Sequence, residues 1–196
     1  GSYANSRRFL NNGRLPPVNA VRVEELINYF DYSYPLPQGR APFAVHTDTV
    51  DSPWQPHAKI IKIGIKAQDL ALKELPPANL VFLVDVSGSM NAPDKLPQVK
   101  QTLRLLTEQL RAQDKVTLIT YASGEKLVLP PTSGSHKQSI LRAINGLQAG
   151  GGAAGEQAIQ LAYQEAEKAH IKNGINRILL ATDGDFNVGI TDFDTL

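Results

Sequence analysis

Asp85, Ser87 and Ser89 stand at i, i+2 and i+4, directly after the apolar run Leu80-Val81-Phe82-Leu83-Val84. Three small oxygen-bearing side chains in a loop that also holds Gly88 can turn toward one point. Oxygen donors of this kind suit a hard divalent cation. A second aspartate, Asp183, follows another apolar run, Ile178-Leu179-Leu180-Ala181, within Thr182-Asp183-Gly184. Each aspartate alone reads as the polar turn that ends a strand, and Asp-Gly is common turn chemistry. Two of them, each closing a buried strand, favour a shared metal site of Asp85, Ser87, Ser89 and Asp183. Magnesium keeps several waters and takes only one or two protein carboxylates. Such a site leaves a coordination position for an acidic group of a partner.

The elements that must position these residues read as follows. Unbroken apolar runs are strands buried on both faces, as in a parallel sheet, and open α/β sheets build their sites at the carboxyl ends of the strands. Leu96, Val99, Leu103, Leu106 and Leu110 step by 3 and 4 and predict an amphipathic helix with Pro97 in its first turn. Val116 to Thr120 predicts a second buried strand, and Lys126 to Leu129 a shorter edge strand before Pro130-Pro131. Ile140, Leu141, Ile144 and Leu147 predict a short helix, and a longer alanine-rich helix runs from about Ala153 to Ala169 after Gly150-Gly151-Gly152. The glycines are expected to reach the same sheet edge as the two aspartates.

Residues 3–78 differ. They hold most of the prolines and aromatics. Val23, Leu26, Ile27 and Phe30 trace one helical face. Phe43, Val45, Thr47 and Thr49 alternate, as do Ile61, Ile63 and Ile65, which predicts two paired strands. Trp54 is expected to staple this region, and Tyr29, Phe30, Tyr32 and Tyr34 to serve core or interdomain packing rather than recognition. The expected organisation is a vector-derived Gly1-Ser2, a small α+β amino-terminal region over 3–78, and a doubly wound, mostly parallel α/β domain over 79–196. That sheet is expected to lack its last strands, because the chain stops soon after the helix start suggested by Thr191-Asp192.

Composition narrows function. Twenty basic residues face 19 acidic ones, for a net charge of +1, and this balance excludes the concentrated basic footprint of nucleic-acid binding. The absence of cysteine removes disulfides, thiolate metal sites and cysteine nucleophiles. No stretch approaches the roughly 18 apolar residues of a membrane span. His46, His57, His136 and His170 lack ligand spacing and read as surface or satisfied histidines. The glycine run lacks the Gly-Lys-Ser/Thr of a phosphate loop.

Asp85-Val86-Ser87-Gly88-Ser89-Met90, with Thr182-Asp183-Gly184 far downstream, resembles a von Willebrand factor type A domain and its metal-ion-dependent adhesion site, Asp-x-Ser-x-Ser. The segments from Ser2 to Pro17 and from Val21 to Phe30 are similar to a bacterial subfamily of the calcium-activated chloride channel homologue type, the YfbK-like proteins. The resemblance implies a Rossmann-like sheet and a non-enzymatic binding module. Its Mg2+, with Mn2+ or Ca2+ as alternatives, would bridge to a carboxylate of a protein partner. It further implies a carboxyl-terminal continuation of the same protein as a partner, and a location in the cell envelope or periplasm, with the cytoplasm as the alternative. The family's second metal loop supplies a threonine after a serine. Ala153 and Gly152 stand there and carry no side-chain oxygen, so a water must replace the ligand or the ion binds weakly or not at all. Two other functions remain open at this point. One is a Mg2+-dependent phosphotransfer hydrolase using Asp85, although hydrolases of the haloacid-dehalogenase type carry a second aspartate where Ser87 stands. The other is a structural module with a dead metal site.

Overall fold

The computed structural model describes residues 1–69, 75–152 and 155–184. The chain divides into two compact units, residues 1–72 and 73–196.

In the first unit, α1 (Ser2–Asn11) and α2 (Val23–Tyr29) pack through Tyr3, which stacks on Tyr29 at 4.2 Å and meets Phe30 edge-on at 5.2 Å. Ser2, expected to be vector-derived, is buried. Its amide donates to Glu25 at 2.6 Å and its hydroxyl accepts from the Arg22 amide at 3.1 Å. Strands β1 (Phe43–Asp51) and β2 (Lys59–Ala67) form an antiparallel ribbon in which Val45 faces Ile65 and Thr47 faces Ile63. On the ribbon's other face, Tyr34 stacks on Tyr32 and His46. A Cβ at Gly64 would collide with the Tyr34 ring where it now lies, so glycine lets the ring lie close against the strand. Trp54 does not staple this unit: it is 83% exposed in the turn between the two strands.

In the second unit, β3 (Ala78–Asp85), β4 (Lys115–Tyr121), β5 (Glu125–Ser133) and β6 (Ile175–Ala181) make one sheet in the order β5-β4-β3-β6. The β3–β4 and β3–β6 pairs are parallel, and β5 runs antiparallel at one edge. Successive side chains of β3 point to opposite faces. Phe82 and Val84 join Leu96 and Leu103 of α3 (Leu96–Gln109) and Ile140 and Ile144 of α4 (Lys137–Asn145). Val81 and Leu83 join Ala158 and Ala162 of α5 (Glu156–Lys168) on the other face. Helices on both sides of a mostly parallel sheet make this a doubly wound α/β fold.

Two strands differ from expectation. β5 continues through Pro130 and Pro131 to Ser133, because an edge strand can turn proline's missing N–H away from the ladder; its register shifts beside Leu118. β6 is only partly buried, with Leu179 and Leu180 both over 40% exposed, and it is the outermost strand among the described residues. Thr191-Asp192 and Ala153 lie outside the described residues. No described helix is long and apolar enough to cross a membrane.

Candidate metal centre at the carboxyl edge of the sheet

Register places the site. Asp85 is the last residue of β3 and pairs with Tyr121, the last of β4, while Val84 pairs with Ala181, the last of β6. Three parallel strands therefore end flush, and the residues just beyond them meet. The side chains at positions 81, 83 and 85 of β3 share the α5 face. Asp85 is fully buried at the rim of that face, beside Tyr121.

The Asp85 carboxylate is held by three neutral donors. Oδ1 accepts from the Ser87 amide at 2.8 Å, the turn chemistry expected of aspartate. Oδ2 accepts from the Tyr121 hydroxyl at 3.3 Å and the Thr182 hydroxyl at 3.2 Å. Burial, together with the negative charges of Asp85 and Asp183, pushes the Tyr121 hydroxyl up to about 12. Tyr121 thus remains a donor over the whole physiological range. Among the described residues no cationic side chain bonds Asp85.

Ser87 and Ser89 continue from Asp85 as predicted, with their hydroxyls 3.1 Å apart at the start of a short 3-10 turn, Gly88–Asn91. Backbone bonds fix this loop against the glycine run. Gly88 N–H donates to Gly151 O at 3.0 Å, and Gly150 N–H donates to Val86 O at 2.7 Å. Gly151 has φ +87°, and a Cβ on it would lie 2.6 Å from Ser123 Oγ, so only glycine lets the two loops close. Gly152 N–H donates to the same Ser123 hydroxyl at 2.9 Å. The glycines therefore reach the edge as expected, and at Gly152 the loop offers backbone rather than a side-chain oxygen.

Asp183 follows Thr182 and is mostly buried. It forms an ion pair with Lys95, Nζ to Oδ2 2.8 Å, at the start of α3. All four predicted residues thus lie at one edge: Asp85 bonds the Ser87 amide and the Thr182 hydroxyl, the two serine hydroxyls bond each other, and Asp183 is the residue after Thr182. The donor set is oxygen throughout, with two carboxylates and two hydroxyls, and fits a hard cation that retains water. Among the described residues no group of three or more histidine or acidic side chains converges. Tyr121, Thr182, Ser123 and Lys95 are participants that the sequence reading did not assign. Thr182 was signalled by its place beside Asp183.

A profile of the von Willebrand factor type A domain matches residues 80–185, and one described as von Willebrand factor matches residues 1–62. The uncharacterized protein YfbK of Escherichia coli K12 is 49% identical over 98% of this chain and 35% of its own length. The bovine inter-alpha-trypsin inhibitor heavy chain H4 is 33% identical over 59% of this chain and 13% of its own. The magnesium-chelatase 60 kDa subunit of Rhodobacter capsulatus is 34% identical over 60% and 21%. The chain thus spans about a third of YfbK and less of the other two. The profile match covers more than half of the chain and includes Asp85, Ser87, Ser89 and Asp183, and on that ground the chain belongs to the von Willebrand factor type A domain family.

Proposed function

We propose that this chain is a non-enzymatic protein-binding module whose Asp85, Ser87, Ser89 and Asp183 hold Mg2+, and that the ion bridges to a carboxylate of a protein partner. Domains of the family commonly serve as protein-interaction modules. The observation that carries the reading is the flush ending of β3, β4 and β6, which sets the Asp85 loop beside Thr182-Asp183. Mn2+ and Ca2+ share the same donor chemistry. The absence of a side-chain oxygen at Gly152 leaves more of the coordination to water and to the partner, and so favours a modest intrinsic affinity. A cell-envelope location goes with this reading, and fractionation of producing cells would test it.

The phosphotransfer alternative requires a carboxylate oxygen free to attack phosphorus. Ser87 stands where hydrolases of the haloacid-dehalogenase type carry their second acid, and among the described residues no group of three or more acidic or histidine side chains converges to replace it, which disfavours that role.

The test is calorimetric titration of the metal-stripped chain with Mg2+ and Mn2+, followed by water-proton relaxation of the Mn2+ complex. We expect one site, lost in Asp85→Asn and weakened at least tenfold in Ser87→Ala by removal of a direct oxygen ligand (about 1.4 kcal/mol per tenfold). Acetate should lower the relaxation enhancement by displacing a metal-bound water. Binding that survives Asp85→Asn unchanged would refute the site, and indifference to acetate would refute the carboxylate bridge.

A further inference from the structure

The ion pair between Lys95 and Asp183 is not explained by the helix that Lys95 precedes. Lys95 is the cap residue of α3, and the first turn of that helix carries no acidic side chain. The amino end of a helix bears partial positive charge, so an ammonium placed there is electrostatically unfavourable by itself. A carboxylate from across the site offsets this: Asp183 Oδ2 lies 2.8 Å from Nζ, and the Asp183 side chain is only 8% exposed. A carboxylate this withdrawn from water is stabilised by a positive partner. A divalent ion on Asp183 would supply the same compensation, and it would also meet the ammonium as a like charge at short range. Both cations answer one need at one carboxylate.

Resting on the metal reading above, we propose that Lys95 is a built-in counter-ion that competes with the divalent cation for Asp183 and thereby sets the affinity of the site. The metal-free site is already charge-compensated at Asp183, so the incoming ion must displace or repel the ammonium. Displacement would release the side chain that reaches from the start of α3, which ties cation binding to that helix end. The four-carbon stem of lysine permits the swing without a change in the backbone.

The test uses the whole chain stripped of metal, in wild-type form and as Lys95→Met and Lys95→Arg. Free Mn2+ is followed by electron paramagnetic resonance. Lys95→Met, which keeps the length and removes the charge, should bind Mn2+ on the order of tenfold more tightly than wild type. Lys95→Arg, which keeps the charge, should stay within about threefold of wild type. A metal-free arm reads the pair itself. In chelator, Lys95→Met should lower the melting temperature, and adding Asp183→Asn should recover it, a non-additive cycle. Wild type that binds Mn2+ while Lys95→Met binds no more tightly would overturn the competition and leave the metal site standing. An additive cycle in chelator would also overturn it, since the two side chains would then not compensate each other. Absence of Mn2+ binding in every variant would refute the metal site and the competition together, with the cycle still reporting on the pair.

Discussion

At the scale of single residues, the site depends on how a fully buried carboxylate is kept in place. Asp85 has three hydrogen-bond donors and no described cation, and each donor offsets part of its desolvation. Thr182 does two things at once: its hydroxyl donates to Asp85 Oδ2 and accepts from the Gly184 amide at 3.1 Å. Thr182→Val keeps the shape and removes both bonds, so urea unfolding should show a loss of about 1–2 kcal/mol. Thr182→Ser should restore most of it, and equal losses in the two variants would mean that the methyl, not the hydroxyl, matters. Of the participants, Asp85, Ser87, Ser89 and Asp183 were legible in the sequence because an acid that ends an apolar run must sit at a strand terminus. Tyr121 and Lys95 were not. The Tyr121 contact depends on the register between β3 and β4, and the Lys95 contact closes over 88 residues of chain. No local spacing encodes either.

At the scale of elements, the opposite edge of the sheet is held by a clamp between α3 and β4. Asp114 accepts from the Ala78 amide at 2.8 Å, where β3 begins, and from the Arg111 amide at 2.7 Å. The Arg111 guanidinium donates to Leu75 O and Pro76 O, carbonyls of the stretch that leads into β3. Burial alone would raise the Asp114 carboxyl. The hydrogen bonds from Arg111 and Ala78, with the guanidinium charge, outweigh it and hold the group below its ordinary value of 3.8. A carboxylate with a depressed folded-state value stabilises the fold above its unfolded value and loses that contribution as pH falls through the folded one. Asp114→Asn should therefore cost about 2 kcal/mol at neutral pH, and the difference from wild type should shrink below about pH 4. A difference that stays constant down to pH 2 in denaturant titrations would refute the linkage. Most elements were legible from periodicity, α3 and the buried strands above all. The exceptions have physical causes. Helix α1 carries too few apolar residues for a clear stripe, and it is anchored by Tyr3 and Ser2 contacts to α2. The length of β5 was hidden by its prolines, which an edge position tolerates.

At the scale of the whole molecule, charge and apolar exposure bear on association. The net charge of +1 gives little long-range repulsion between copies. The ribbon of the first unit turns Ile61, Ile63 and Ile65 of β2 and Val45 of β1 to one face, and each is more than half exposed. The regular alternation that revealed these strands in the sequence also suggested a buried face, because the usual partner of an apolar ribbon face is a core. Periodicity reports which residues share a face and not whether anything covers it. The described residues of its own unit leave this β-branched face exposed, and on a protein of nearly zero net charge such a face favours self-association. In sedimentation velocity over a hundredfold range of concentration, the average sedimentation coefficient should rise, and salt should change that rise little, because there is little charge repulsion to screen. Ile63→Lys sits at the middle of the face and removes no buried contact, so it should flatten the concentration dependence while changing the unfolding free energy by no more than about 0.5 kcal/mol. Association that persists undiminished in Ile63→Lys would assign it to another surface, and a large loss of stability would mean that the ribbon face is covered in solution.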